Sequence, residues 1–140
     1  MIFRATEEIA DRFESDGVDC EIEENENASI VHLTIKLEYN EITILFISTD
    51  DGADVAIRVF DLASFPEARM DAVLRAVNTL NRAYRFAAFS VDEEKDRVDV
   101  RADLPVNTAD VAEAAYEMFL RMTSICNEAY PELMKAIWSD

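Results

Sequence analysis

The stretch from residue 65 to residue 105 most constrains the fold, because two different hydrophobic periodicities follow each other there. Apolar residues first recur at helical spacing, at Met70, Val73, Leu74, Val77, Leu80 and Tyr84. Apolar and charged residues then alternate from Arg97 to Leu104, which is typical of a strand with one buried face. The stretch therefore predicts a helix followed by a β-hairpin.

The same periodicities extend over the whole chain of 140 residues, a length that suits one domain covering residues 1–140. We predict helices over residues 2–15 and 66–82, and a long C-terminal helix capped by Asn107 or Thr108 and kinked or restarted at Pro131. Asp51 and Gly52 predict a hairpin turn. The predicted strands cover residues 18–24, 30–39, 42–48, 54–61, 84–91 and 97–104.

This order, α-β-β-β-β-α-β-β-α, predicts an α+β fold in which helices accompany an antiparallel sheet. The strand over residues 42–48 is apolar on both faces. Such a strand is expected to be central, or to be covered on its second face by another element or subunit.

The net charge is −17, with 30 acidic against 13 basic residues, which disfavours binding to nucleic acid or to an anionic membrane. The longest apolar run, residues 44–47, is far too short to span a bilayer. The N-terminal residues show no signal peptide, and Cys20 and Cys126 lie far apart in the sequence. We therefore expect a cytoplasmic protein with reduced thiols.

Residues with catalytic or metal-binding chemistry are scarce. His32 is the only histidine, and the sequence fixes no nucleophile beside it, so a solvated or hydrogen-bonded sheet histidine is the simpler interpretation. An enzyme that uses His32 remains the alternative. One histidine and two distant cysteines do not make a zinc site, and residues 50–54 lack the remainder of a calcium loop. We predict no enzyme, no cofactor and no metal.

One segment is basic within this acidic chain. No Asp or Glu occurs from residue 72 to residue 91, whereas Arg75, Arg82 and Arg85 do, with Arg69 just before them. Together with Asn78, the three arginines are candidate contact residues for an anion or an acidic peptide, since helical spacing places them on neighbouring turns. The simpler interpretation is that these arginines pair with the protein's own acids, such as Asp99, Asp103 or the tails.

Asn78 and Asn81 are poor helix-interior residues, and we expect both to bond to backbone where the helix meets the hairpin. This pair is the most distinctive part of a motif in which the middle of the chain resembles the YbjN family, bacterial proteins labelled as sensory transduction regulators. The turn over residues 92–96 departs from the pattern by lacking a glycine. The residues that carry the resemblance are Phe65-Pro66, Leu74, Val77-Asn78, Leu80-Asn81, Phe86, Phe89-Ser90-Val91-Asp92, Val98, Val100-Arg101 and Leu104-Pro105.

The resemblance implies a fold similar to that of type III secretion chaperones, which are often dimeric and bind extended segments of other proteins. Fold alone does not establish function. The sequence nevertheless favours a non-enzymatic, homodimeric protein-binding module that is chaperone-like or regulatory. The alternative is a sensor of a small ligand or anion that uses Arg75, Arg82 and Arg85.

Overall fold

The computed structural model describes residues 1–51, 54–106 and 110–139. The described residues confirm the predicted α+β class and element order, and a 3₁₀ turn, Glu67–Arg69, leads into the second helix. The helices and strands are α1 (Arg4–Ser15), β1 (Glu21–Glu24), β2 (Ser29–Lys36), β3 (Glu41–Ser48), β4 (Val55–Ser64), α2 (Met70–Ala83), β5 (Ala88–Asp92), β6 (Arg97–Leu104) and α3 (Val111–Trp138).

The six strands form one antiparallel sheet in the order β1-β2-β3-β4-β6-β5. The chain leaves β4, passes through α2 to the edge strand β5, and returns through β6 between β5 and β4. β3 lies inside the sheet, which confirms the central position predicted for the strand that is apolar on both faces.

The helices cover one face of the sheet. α1 contacts β2 and β3, α3 contacts β4 and β6, and α2 contacts β5. Phe13 lies at the centre of this layer: its ring centroid is 5.0 Å from that of Phe119, 5.6 Å from that of Tyr116 and 5.8 Å from that of Phe46. One buried aromatic residue therefore joins α1 to both α3 and the sheet.

The opposite face, which we call the open sheet face, carries the alternate residues of each strand. Leu45 and Ile47 of β3 and Ile30 of β2 are only partly buried there, whereas their neighbours Ile44 and Phe46 are fully buried against the helices. The period of two along a strand thus divides the apolar residues of β3 between a covered face and an uncovered one.

The predicted strands were too long at the two edges of the sheet, because residues 18–20 and 84–87 lie outside β1 and β5. Before β5, Phe86 has a φ of 73°, a left-handed conformation that a regular strand does not contain. In the turn between β5 and β6, Asp96 has a φ of 51° and takes the role of the glycine that the sequence lacks.

Asp110 caps α3, because its Oδ1 accepts a hydrogen bond of 3.0 Å from the N–H of Glu113. The predicted caps, Asn107 and Thr108, lie outside the described residues, as does Gly52 of the predicted hairpin turn. α3 continues through Pro131 to Trp138, so the predicted restart at this proline is wrong. None of the helices in the described ranges is both long and apolar enough to cross a bilayer.

Candidate functional site

The solvent side of α2 carries the candidate contact residues. Val73, Val77 and Leu80 are buried on the opposite side of the helix, and this leaves the positions between them exposed. Arg75, Asn78 and Arg82 follow each other at intervals of three and four residues, and Arg85 lies just beyond the end of α2. The structure exposes all four, and we call Arg75, Asn78, Arg82 and Arg85 the basic face.

The arginines of the basic face pair with no acidic side chain that the structure describes. Across residues 1–51, 54–106 and 110–139, no carboxylate oxygen lies within 4.0 Å of a guanidinium nitrogen of Arg75, Arg82 or Arg85.

The acids expected to neutralise them are occupied elsewhere. Asp99 accepts Arg97 at 3.0 Å, and Asp103 accepts Arg58 at 3.3 Å and Arg101 at 3.4 Å. The interpretation that Asp99 and Asp103 pair with the basic face is therefore wrong, because β6 lies beside β4 and its acids meet arginines of the sheet itself.

The two asparagines of α2 differ in role. Asn81 donates to the carbonyl of Phe89 at 3.0 Å and accepts from the N–H of Phe89 at 2.7 Å, which confirms the predicted link between helix and hairpin. The same prediction is wrong for Asn78, whose exposed side chain makes no hydrogen bond within the part of the chain that the structure describes. Asn78 thus leaves an amide donor and an amide acceptor between Arg75 and Arg82.

A groove of about 410 Å³ begins where the basic face ends, between the segment after α2 and the middle of α3. Arg85 and Phe86 line it from one side, and Leu120 and Arg121 line it from the other. The guanidinium carbon of Arg121 lies 4.4 Å from the centroid of the Phe86 ring, and Arg121 also pairs with Glu117 at 3.0 Å. Sequence reasoning missed Arg121, since it lies on α3, far from the basic segment in sequence.

A sequence model of a protein family described as "Putative bacterial sensory transduction regulator", the YbjN family, matches residues 5–134. The chain belongs to the YbjN family. No curated protein matches it. The family is described as regulatory, and the basic face is an exposed charged surface of this YbjN-family chain.

His32, the one histidine, lies in a depression of about 460 Å³ at the β1 end of the open sheet face, beside Asp19, Cys20 and Glu21. Its Nε2 is 3.3 Å from a carboxylate oxygen of Glu23. Burial and nearby carboxylates raise the pKa of the Cys20 thiol, so the sulfur is protonated at neutral pH and is a poor nucleophile.

The depression around His32 therefore lacks the thiolate that a cysteine–histidine pair needs for nucleophilic catalysis. The described residues also contain no group of three or more His, Cys, Asp and Glu side chains arranged to hold a metal ion.

Proposed function

We propose that this YbjN-family protein is a non-enzymatic, cytoplasmic protein-binding module, regulatory or chaperone-like, and that its basic face docks an acidic segment of another protein. One observation carries the proposal: Arg75, Arg82 and Arg85 are exposed without an ion-pair partner in the described residues of a chain with 30 acidic residues. A guanidinium group that pairs with no carboxylate of its own chain can bind a carboxylate of a partner.

The energetics require apolar contacts beside the charges. An exposed ion pair contributes about 0.2–1 kcal/mol, so three pairs supply at most about 3 kcal/mol. Micromolar affinity corresponds to about 8 kcal/mol. Leu74, 40% exposed, and Phe86, 59% exposed, lie next to the basic face. Burial of their apolar surface can supply the remaining binding free energy. The expected partner segment therefore combines acidic and apolar residues.

The alternative is a sensor of a small anion. The groove in which Arg85 and Arg121 line opposite walls favours this second function, because two guanidinium groups can share one phosphate or carboxylate. A small anion would need the groove and both of its arginines, whereas an acidic segment would need the whole length of the basic face.

Titrations of an acidic–apolar peptide, inorganic phosphate and ATP separate the two functions. We compare the wild type with a variant that combines Arg75→Ala, Arg82→Ala and Arg85→Ala, by calorimetry at two salt concentrations. The matched control combines Arg4→Ala, Lys36→Ala and Lys95→Ala, which removes three exposed positive charges elsewhere and gives the same net charge.

We expect the peptide to bind with micromolar affinity that falls with salt, and to bind the basic-face variant at least tenfold more weakly than the control. Binding of phosphate or ATP without binding of the peptide would support the anion sensor. If none of the three ligands binds, both functions are overturned.

We also propose that the protein is a homodimer in which a second copy covers the open sheet face. Glu21, His32, Leu45, Arg58 and Arg101 form one lateral row across β1, β2, β3, β4 and β6. A two-fold axis parallel to β3 would place β1 of one copy opposite β6 of the other. Glu21 would then face Arg101 twice, with Leu45 and Ile47 packed at the centre.

This arrangement tolerates the twist of real sheets. β1 and β6 each lie two strands, or about 10 Å, from β3. Packed sheets cross at about 30°, so the lateral rows of the two copies are offset by roughly 5 Å at that distance from β3. Glutamate and arginine side chains are long enough to span this offset.

Charge reversal tests the dimer. Glu21→Arg alone and Arg101→Glu alone should each raise the dimer dissociation constant at least tenfold in analytical ultracentrifugation, and the double variant should recover to within about threefold. A wild type that stays monomeric at 100 μM would overturn the homodimer. A dimer that neither single variant weakens would overturn this placement of the second copy.

A further inference from the structure

Aromatic side chains cluster at the far end of α3, away from the basic face. Tyr39, in the turn after β2, is 58% exposed, and Trp138, the last residue of α3, is 72% exposed. The rings of Tyr39 and Tyr130 stack with their centroids 6.4 Å apart and their planes at 15°. With Met134 they line a depression of about 420 Å³, and we call Tyr39, Tyr130, Met134 and Trp138 the aromatic groove.

A second depression, of about 350 Å³, shares Tyr130, Met134 and Trp138 with the first and adds polar residues. Glu41 is exposed and makes no ion pair within the described ranges. Asp61 lies at a β-bulge with a φ of 59°, and its Oδ1 accepts a hydrogen bond of 2.6 Å from the hydroxyl of Ser64. The Oδ1 of Asn40 is buried and has no hydrogen-bond partner among the described residues.

Glu41 and Asp61 are therefore exposed acceptors beside the groove that can take further hydrogen bonds. Two exposed carboxylates favour a ligand that donates hydrogen bonds and carries positive charge. Flat aromatic faces favour a cation for a second reason, since their quadrupole attracts positive charge. Lys135 also lines the groove, but its ammonium pairs with Glu132 at 3.2 Å, which reduces its repulsion of a cation.

We infer that the aromatic groove binds an arginine side chain, with its apolar neighbours, from an extended segment of a partner protein. A guanidinium group stacks on aromatic rings and presents five donors in one plane, which suits two acceptors, Glu41 and Asp61, better than the compact ammonium of lysine does. The charge of the whole protein, −17, also attracts a basic segment. This site goes beyond the proposed function, because it lies on other elements than the basic face and selects the opposite charge.

The groove contains its own reporter, because Trp138 is the only tryptophan of the chain. We titrate the wild-type protein with three acetylated pentapeptides that differ at the central residue: Ala-Leu-Arg-Leu-Ala, the same peptide with lysine, and the same peptide with citrulline, which has the shape of arginine without its charge. Tryptophan emission and calorimetry are recorded for each.

The arginine peptide should produce a saturable change in Trp138 emission, with an affinity at least tenfold above that of the citrulline peptide and at least threefold above that of the lysine peptide. Asp61→Asn and Tyr39→Ala should each weaken the arginine peptide at least fivefold, whereas Glu38→Gln, an exposed acid that does not line the groove, should leave binding within twofold.

Three results would overturn the inference: no saturable change with the arginine peptide, equal binding of the citrulline peptide, or equal binding of the lysine peptide. The comparison of peptides on the wild type does not depend on the folding of any variant. Because no variant of the basic face enters this experiment, its failure would leave the proposed function standing.

Discussion

The side-chain amide of Asn81 bonds both backbone groups of Phe89, donating to the carbonyl at 3.0 Å and accepting from the N–H at 2.7 Å. Phe89 lies in β5, the edge strand next to β6, so these two backbone groups point away from the sheet. An unpaired edge is a template for aggregation. The last turn of α2 therefore closes part of this edge with one side chain.

Asn81→Ala should lower the free energy of unfolding by about 1–3 kcal/mol, because it leaves the backbone N–H and the backbone C=O of Phe89 without their side-chain partner. Urea denaturation of the variant and the wild type measures the difference. Asn78→Ala is the matched control on the same helix and should change stability by less than about 0.5 kcal/mol. Equal effects of the two substitutions would contradict the distinct roles assigned to these asparagines.

Phe13→Ala should lower the free energy of unfolding by about 3–5 kcal/mol, because it opens a cavity at the junction of α1, α3 and β3. Phe60→Ala, at a side chain that is 46% exposed, should cost about 1 kcal/mol or less. Thermal and chemical unfolding both report these values. A loss below 2 kcal/mol for Phe13→Ala would mean that this ring is not central to the core.

Burial raises the pKa of the Cys126 thiol to about 12, from an ordinary value of 9.0. The unfolded chain therefore loses this proton at lower pH than the folded protein does. The contribution of Cys126 to stability is complete below about pH 9 and falls, by about 1.4 kcal/mol per pH unit, as pH rises towards 12.

Cys126→Ala should accordingly flatten the dependence of stability on pH above pH 9, when urea midpoints are compared from pH 7.5 to pH 10.5. Because both proteins retain the same tyrosines and lysines, the difference between their profiles isolates Cys126. Parallel profiles for the wild type and the variant would refute the raised pKa of this thiol.

Arg82→Ala should change the free energy of unfolding by less than about 0.5 kcal/mol, since Arg82 is exposed and pairs with no acid in the described chain. Arg97→Ala, the control, should cost about 1–2 kcal/mol, because it leaves the carboxylate of Asp99, only 16% exposed, without its partner at 3.0 Å. Chemical denaturation at low salt measures both. A comparable loss for Arg82→Ala would show that the basic face is internally neutralised.

Local patterns in the sequence determined the kinds of elements and much of their extent. The alternation from Arg97 to Leu104 predicted β6 to the residue, and the apolar spacing after Met70 predicted α2. Both predictions follow from the periods of strands and helices, because each period is visible in side chains only a few residues apart. The sequence also predicted that the strand over residues 42–48 is either central or covered on its second face, since both of its faces are apolar, and the structure places it inside the sheet.

Contacts between distant residues were decided only by the tertiary structure. The insertion of β6 between β4 and β5 brings Asp103 to Arg58, and Arg75, Arg82 and Arg85 have no ion-pair partner among the residues that the structure describes. The aromatic groove likewise joins Tyr39 to Tyr130, residues that no local pattern connects. Periodicity shows which face of an element is apolar, whereas the pairing of strands and the meeting of loops depend on how all those faces are buried together in one core.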